Sequence, residues 1–398
     1  MTPRTAFLLH FTARKPILLT HMWKTSEGST GRLIQLCLGY FTFYVITGVT
    51  VKYFTGPASG GGPGMKEIEY LVYSTIGGNL ICLAVVLPLR WYRLQSSRMM
   101  TLAGLRFPRE ILYIIPSGVC TAVVIPTTTL MYLLPISVMV AMVIMRASVI
   151  IISRVVDALQ IRQGILKKRV YWEENVAVVF ALSAAAVNIL WVEKGDFEFF
   201  HSNAAMGVLG SYIVAYAIRI YIMNYYKNTR PRGVRLDNNG FFAIEQIAAS
   251  LVMLAVGYAL FRSTDWFGPA GGQLMVFHDA IALPNSFWFW AVVSGMAYGI
   301  VAFFSVFIFM FKGRTATFAG LVNRLTSLVA GTAATLVSYY AFGGRFPKMQ
   351  DWLSLVFILV AVAFLSRAER KRTAELALVR EIEPEPLGGD LIPAPQKP

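Results

Sequence analysis

Two apolar stretches that each carry a single arginine decide the fold: VAMVIMRASVIIIS at Val140–Ser153 and FAGLVNRLTSLVAG at Phe318–Gly331. An arginine in the middle of a bilayer costs about 2.5–3.5 kcal/mol even on the lenient insertion scale. Arg146 and Arg324 lie 178 residues apart, near half the length of the helical region. A chain that accepts this cost twice, at matching places, is expected to use both side chains. We interpret them as the anion-facing walls of a transport cavity; the alternative is a structural arginine bonded to backbone carbonyls or reaching the interface.

The composition excludes an ordinary soluble protein. The 398 residues are 56% hydrophobic and only 14% charged, the mean hydropathy is +0.58, and soluble chains carry about 25% charged residues. The three cysteines lie inside apolar segments and the four histidines are scattered, so we expect neither a disulfide framework nor a metal site. No cofactor or catalytic residue is predicted, because enzyme chemistry would need convergent acid, base or metal groups.

The hydropathy pattern predicts an all-α integral membrane protein with ten transmembrane helices, each about 20 residues long, as a ~30 Å hydrocarbon core requires. A cytoplasmic leader (1–30) precedes a first five-helix half (31–192), and a second half (205–366) precedes a disordered cytoplasmic tail (367–398). The predicted spans are Gly31–Phe54, Glu69–Leu89, Glu110–Leu134, Ile136–Leu159, Glu174–Val192, Ala205–Tyr226, Phe241–Phe261, Phe287–Phe311, Thr315–Phe342 and Trp352–Ser366. The segment between spans seven and eight is expected to lie along the outer surface.

The basic residues predict the orientation. Counted up to Arg372, the segments expected inside contain 24 lysines and arginines, and those expected outside contain 6, as the positive-inside rule requires when both termini are cytoplasmic. The net charge of +15 therefore indicates a lipid bilayer partner and not nucleic acid. We take a bacterial inner (plasma) membrane as the default location.

The two halves repeat with little slippage. Ser117-Gly118 opens the apolar part of span three and Ser294-Gly295 that of span eight; the serines precede Arg146 and Arg324 by 29 and 30 residues. Because each half contains five spans, an odd number, the second copy must be inserted upside down. This inverted-repeat plan is typical of secondary transporters, whose binding site lies at the repeat interface near the midplane.

The ten spans, the short connections before spans four and nine, and the cytoplasmic termini together resemble the drug/metabolite transporter (EamA-like) superfamily. MVIMRASVIIIS and VNRLTSLVAG are similar to the span-four and span-nine motifs of its nucleotide-sugar and triose-phosphate branch, the solute carrier family 35 type. That branch places a basic residue on each helix to hold a phosphate or another anion, which implies this role for Arg146 and Arg324. The Gly-Ala-x-Asn-Lys signature expected of a GDP-sugar transporter is not found in this sequence.

Other polar side chains in the spans are further candidates for binding the substrate. Thr127 and Thr128 follow Pro126 and either line the cavity or bond the carbonyl that the proline frees. Ser117 and Tyr298 are candidates through their repeat position, and Asn323 through its place beside Arg324.

Two further charges lie within the membrane. Arg219 in span six and Glu245 in span seven are expected at similar depth on antiparallel helices, as a structural ion pair or with Glu245 as a proton-coupling carboxylate. The tyrosines of spans one and six, among them Tyr40, Tyr212 and Tyr216, are expected mainly to pack helices.

Together these features favour a secondary transporter that moves a small organic, anionic or phosphorylated solute by alternating access. A flippase for a lipid-linked substrate and a non-transporting membrane scaffold stay open as alternatives. The oligomeric state also stays open, with a homodimer as one option.

Overall fold

The computed structural model describes residues 29–56, 62–96, 99–102, 104–133, 138–167, 169–190, 203–230, 236–268, 271–343 and 346–382. These residues form eleven helices and one β-hairpin. The helices are α1 (Thr30–Thr55), α2 (Glu67–Val86), α3 (Ile111–Leu133), α4 (Val138–Arg162), α5 (Trp172–Leu190), α6 (Asn203–Thr229), α7 (Asn238–Phe267), α8 (Gln273–Ala282), α9 (Trp288–Phe309), α10 (Ala316–Phe342) and α11 (Met349–Ile382); the antiparallel strands are β1 (Met99–Leu102) and β2 (Leu105–Pro108).

The chain is an all-α, multi-pass membrane protein. Within the described residues, eight helices are long and apolar enough to cross a membrane: α1, α2, α3, α6, α7, α9, α10 and α11. Their outward faces carry exposed leucines such as Leu251 and Leu254, which suit lipid surroundings. The remaining two long helices are α4 and α5; α4 carries four charged residues, Arg146 among them.

Local sequence signals fix where the helices begin and end. The Ser29 hydroxyl accepts a hydrogen bond from the Arg32 amide at the start of α1, and the Thr315 hydroxyl accepts one from the Phe318 amide at the start of α10. Both satisfy an amide that the first helical turn leaves without a partner. Gly343 ends α10 with φ 64°, a conformation that glycine adopts without steric cost.

The helices pack in a regular set of pairs. The most extensive contacts join α2 to α9, α5 to α11, α3 to α6, α1 to α10, α3 to α7 and α1 to α9. Helices α4 and α10 pack against each other. In addition, α4 packs against α6, and α10 packs against α1. The two arginine-bearing helices are therefore neighbours at the centre of the bundle.

Glycines bring two of these pairs unusually close. A Cβ on Gly295 of α9 would lie 2.2 Å from the Ser74 carbonyl oxygen of α2, and one on Gly77 of α2 would lie 1.8 Å from the Val292 oxygen. At the α3–α7 crossing, a Cβ on Gly118 would lie 2.6 Å from the backbone carbonyl oxygen of Glu245. Small residues permit such backbone approach, which replaces the hydrophobic effect as the source of association between helices in lipid.

Polar contacts gather at one end of the bundle, which we call the basic end: the end at which α1 and α10 begin and α4 ends. The Arg314 guanidinium before α10 is buried and pairs with Glu369 of α11, and the Thr30 hydroxyl donates to the same carboxylate at 2.9 Å. Arg372 of α11 lies 3.6 Å from Glu174 at the start of α5. These contacts tie α1, α5, α10 and α11 together.

A second contact at the basic end joins the two central helices. The buried Asp157 carboxylate on α4 accepts the amides of Ala316 and Thr317, at 2.8 and 2.6 Å, in the first turn of α10. A carboxylate at a helix amino terminus satisfies unpaired amides and complements the helix dipole. The Thr315 hydroxyl donates to Glu174 at 2.7 Å. The position of α10 relative to α4 and α5 is thus fixed by hydrogen bonds as well as by packing.

The structure differs from the sequence predictions in three places. Residues 367–382, predicted to begin a disordered tail, instead continue α11 to Ile382, because alanine, leucine, glutamate and arginine favour helix and because Glu369 and Arg372 make the contacts above. The connection before α3 contains an unpredicted hairpin, in which Gly104 takes φ 80°. Helix α8 occupies part of the predicted surface segment. The predicted leader up to residue 28 and the tail after 382 lie outside the described residues.

We expect Gly295→Ala to lower the melting temperature of the detergent-solubilised protein by several degrees, because the added methyl group must push α9 away from Ser74. Overpacking of this kind costs typically 1–3 kcal/mol. Gly207→Ala on α6 is the matched control, because nothing lies within 4 Å of a Cβ at that position. Equal melting temperatures for the two variants would show that the close approach of α2 and α9 is wrong.

Candidate functional site

Arg324 lies buried in α10, nine residues into a 27-residue helix, with 9% of its surface exposed. Its Nε and Nη2 atoms have no hydrogen-bond acceptor among the described residues. The guanidinium carbon lies 5.1 Å from the centroid of the Tyr216 ring of α6, within the range of a cation–π interaction. An unused donor on a buried cation is costly, so this group is suited to an acceptor from outside the chain.

Arg146 lies on α4, the helix beside α10. Its Nη2 atom would be 3.5 Å from a Cβ on Gly331 of α10, an ordinary van der Waals distance, so the guanidinium lies against α10 at this glycine. Tyr40 of α1 lies within electrostatic range of both Arg146 and Arg324. The structure therefore brings the two predicted arginines to the same region of the bundle, where Tyr40 lies near both.

Tyrosines surround Arg324, and the sequence interpretation did not assign them to the site. The strongest electrostatic neighbours of its guanidinium are four phenols: Tyr216 and Tyr212 on α6, and Tyr40 and Tyr44 on α1. Each pair is spaced by four residues on one helix face, with ring centroids 4.9 and 5.5 Å apart. This i, i+4 spacing was the available signal, but it is equally typical of helix packing. Phenols tolerate a cation and can donate hydrogen bonds to an anion.

Asn323 lies beside Arg324 but its amide is engaged with neighbouring helices. Its Oδ1 atom accepts from the Tyr40 hydroxyl at 3.5 Å, and its Nδ2 atom donates to the Ser305 hydroxyl of α9 at 3.0 Å. Asn323 thus joins α1, α9 and α10 one residue before the arginine. In this conformation it positions Tyr40, and through Tyr40 the wall of the arginine site.

Arg219 and Glu245 lie together in a buried, bidentate ion pair. Arg219 Nε and Nη2 donate to the two carboxylate oxygens at 2.9 and 3.0 Å, and Glu245 is fully buried. Ser117 and Thr121 of α3 donate to the same Oε1 atom at 2.6 and 3.2 Å. The carboxylate is therefore saturated with donors, as a stable buried charge requires. Ser117, which was predicted as a substrate ligand, here donates its hydrogen bond to the carboxylate of this ion pair.

The hydroxyl groups of Thr127 and Thr128 form their hydrogen bonds within α3 and not with the two central arginines. Both hydroxyls donate to carbonyls of their own helix, Thr127 to Val123 at 2.7 Å and Thr128 to Val124 at 2.7 Å. Helix α3 contains Pro126, which removes one amide donor from this turn. The carbonyl that loses this donor is that of Ala122, four residues before the proline, so the threonine hydroxyls bond the neighbouring carbonyls and not the freed one.

Tyr298 of α9 lies within electrostatic range of Arg219. It lines a small crevice between α2, α7 and α9 together with Asn79 and Gln246. It is therefore closer to the Arg219–Glu245 pair than to a site shared by both central arginines.

We expect Glu245→Ala to destabilise the protein by about 3–5 kcal/mol, because it leaves Arg219 buried without a counter-ion. Unfolding in mixed micelles measures the effect. The double variant Arg219→Met/Glu245→Leu should recover most of the loss, since it removes both charges. The control is Asp265→Ala on the same helix, whose ion pair with Arg262 is about half exposed and should contribute little. A Glu245→Ala protein as stable as the control would contradict this role.

Comparisons with known proteins bear on the fold. No family model matches the chain, and no curated protein matches it. A solved structure described only as "Crystal structure of protein" is similar, with a TM-score of 0.52 and 14% identity over 86% of this chain and 99% of that chain. At this identity the similarity concerns the fold alone.

Proposed function

We propose that this protein is a secondary transporter that moves a small organic anion, in the first place a phosphorylated solute, across the membrane by alternating access. The observation that carries the proposal is Arg324: a buried guanidinium in an apolar helix, with two nitrogens that have no acceptor among the described residues. A charge at membrane depth that no carboxylate compensates is a functional-site hypothesis by default.

The chemistry of the site favours an anion with several oxygens. A guanidinium presents a planar fork of donors that matches phosphate or carboxylate geometry. Arg146 adds a second fork near Tyr40, whereas the Tyr40 and Tyr212 hydroxyls already donate to Asn323 and to the Met145 carbonyl. The nearby Glu245 is saturated by Arg219, Ser117 and Thr121, so it does not compete for Arg324. A phosphoryl group has enough oxygens to accept from both arginines.

The packing of the helices supports ten spans built as two inverted halves. If α1 to α5 exchange places with α6, α7, α9, α10 and α11 in that order, the α2–α9 pair becomes α7–α3, and α1–α10 becomes α6–α4. The α3–α6 pair becomes α9–α1, while α5–α11 and α4–α10 map onto themselves. All of these pairs are in contact. A pseudo-two-fold axis through the α4–α10 contact is the arrangement expected of an inverted repeat.

Individual residues follow the same exchange. Gly118 of α3 packs on α7 as Gly295 of α9 packs on α2. Their preceding serines also correspond, since Ser117 donates to Glu245 of α7 and the Ser294 hydroxyl lies 3.0 Å from the Tyr70 hydroxyl of α2. Two states related by this symmetry would expose the arginine site to opposite sides of the membrane in turn.

The basic end gives the proposed orientation. The side chains gathered there include Arg32, Arg230, Lys312, Arg314 and Arg372. Under the positive-inside rule this end is cytoplasmic, and both termini then lie inside. In this orientation Arg324, about 12 Å along α10 from the basic end, lies toward the middle of the bilayer.

We expect a thermal-shift screen of the purified protein against inorganic phosphate, phosphorylated metabolites, nucleotides, amino acids and organic acids to give stabilisation by anions. A ligand at 100 times its dissociation constant adds about 2.7 kcal/mol to the stability of the state that binds it. Arg324→Ala and Arg146→Ala should each lose this stabilisation, and also uptake of the same ligand into proteoliposomes, while the protein stays folded.

The matched control is Arg154→Ala, which removes an arginine from the same helix as Arg146. Its Nε atom donates to Asn175 at 3.0 Å, outside the tyrosine-lined site. This variant should keep the ligand response of the wild type. If instead the alanine variants at 146 and 324 bind and transport the anion normally, the site assignment is wrong.

A further inference from the structure

A cavity of about 330 Å³ opens at the basic end. Its polar walls are formed by Arg32 of α1, Gln95 before the hairpin, Asn238 and Asn239 at the start of α7, and Lys312 after α9. The volume lies within the range of small-molecule sites. Two cations and three amides make its chemistry that of a site for a small, oxygen-rich anion.

One carboxylate, that of Asp237, also lines this cavity, but backbone donors occupy it. Its Oδ1 atom accepts from the Gly240 amide at 2.8 Å and its Oδ2 atom from the Gln95 amide at 3.0 Å. The Tyr226 hydroxyl donates to the Asp237 carbonyl at 2.9 Å. This carboxylate therefore caps α7 and fixes the wall, while Arg32 and Lys312 contribute two cations to the described lining of the cavity.

The inner wall of the cavity is aromatic. Phe307 of α9 lines it, and behind it lies a cluster that we call the aromatic barrier: Trp91, Phe242, Phe303, Phe304 and Phe307. Phe303 is the centre of the barrier, with ring centroids 4.2 Å from Phe307, 5.3 Å from Phe242, 5.4 Å from Phe304 and 6.0 Å from Trp91. Such packing leaves no passage for an organic anion.

The barrier separates the cavity from Arg324 by about one helical turn. Leu36 of α1 lines the cavity, and Tyr40, four residues or ~6 Å further along α1, already contacts Asn323 beside the arginine. Between them the Phe304 ring fills the space over Gly39, where a Cβ would lie 2.4 Å from the ring. The cavity and the arginine site are thus consecutive along the bundle axis.

We propose that this cavity is a second, outlying anion site, which receives the solute at the basic end, and that the aromatic barrier must open for the solute to pass on to Arg324. The proposal rests on the proposed function for the identity of the solute. Its accessibility and charge, however, can be measured without any transport. Arg32 and Lys312 hold the negative solute at the cavity. The solute then leaves these two side chains and binds the deeper guanidinium groups of Arg146 and Arg324.

Thiol labelling in lipid nanodiscs tests the proposal. In a background with Cys37, Cys82 and Cys120 replaced by alanine, the reporter Leu36→Cys marks the cavity and Ser305→Cys marks the far side, since Ser305 contacts Asn323. We expect a sulfonated methanethiosulfonate reagent to label the thiol at position 36 at least about tenfold faster than the thiol at position 305. Adding Phe303→Ala should raise the rate at position 305 to within a few-fold of that at position 36.

Phe289→Ala is the control for the barrier, because this ring lies on α9 near its start and is exposed; the labelling rate at position 305 should not change. Fast labelling at position 305 with Phe303 intact would overturn the barrier. The Phe303→Ala protein must elute as a single species in size-exclusion chromatography. A rate at position 305 that Phe303→Ala and Phe303→Gly both leave unchanged would overturn it as well.

The anion site has its own test. With the Leu36→Cys reporter, the rate with the sulfonated reagent relative to the trimethylammonium reagent, corrected for their rates with a free thiol, should fall at least about threefold in Lys312→Gln. Inorganic phosphate should slow the sulfonated reagent at position 36 and lose this effect in Lys312→Gln, while Lys52→Gln at the opposite end changes neither. Absence of both effects would overturn the second site, even if anions still stabilise the protein through Arg324.

Discussion

The burial of charge in apolar surroundings is the constraint on which this structure depends. Glu245 meets it with four hydrogen bonds, Asp157 with two amides of α10, and Arg314 with Glu369. Each of these charges joins two or more helices, so satisfying it also fixes the packing. Arg324 differs because tyrosine rings, and not carboxylates, surround it. The same physical rule therefore separates charges that hold the bundle together from a charge that is suited to a ligand.

The close helix crossings limit how such a bundle can change shape. Where α2 meets α9 and α3 meets α7, backbones touch through Gly77, Gly295 and Gly118, and separating them would lose contacts along the whole crossing. These pairs are expected to move as units. The α4–α10 contact carries a different chemistry, with Ser153 against Gly320 and Arg146 against Gly331. The α4–α10 contact therefore differs from the glycine crossings in placing polar side chains between the two helices.

The sequence was sufficient to predict the long apolar helices but not the contacts that their polar side chains make. The length of the apolar segments predicted the all-α membrane class, because hydropathy reports on lipid directly. The residues that surround Arg324 could not be derived in this way, since tyrosines spaced by four residues have the same pattern whether they pack or bind. Ser117 shows a second limit: its repeat position made it a candidate for the substrate cavity, but its hydroxyl donates to Glu245, which lies 128 residues away in the chain. The continuation of α11 past residue 366 was missed because the charged residues that follow were interpreted as a disordered tail. Two of them, Glu369 and Arg372, in fact have buried partners.

Helix α11 has a mechanical consequence. Its 34 residues form one rod about 51 Å long, which begins against α5 in the apolar layer and ends beyond it. Glu369 and Arg372, in the second half of this helix, form ion pairs with Arg314 and Glu174. A tilt of the helix about its start therefore displaces these residues more than it displaces the first turns. A tilt of about 5° about the start of the rod moves Glu369, ~30 Å along it, by roughly 3 Å, which is more than a hydrogen bond can stretch. A small tilt of α11 near its start would therefore be enough to break the ion pairs that Glu369 and Arg372 make at the basic end.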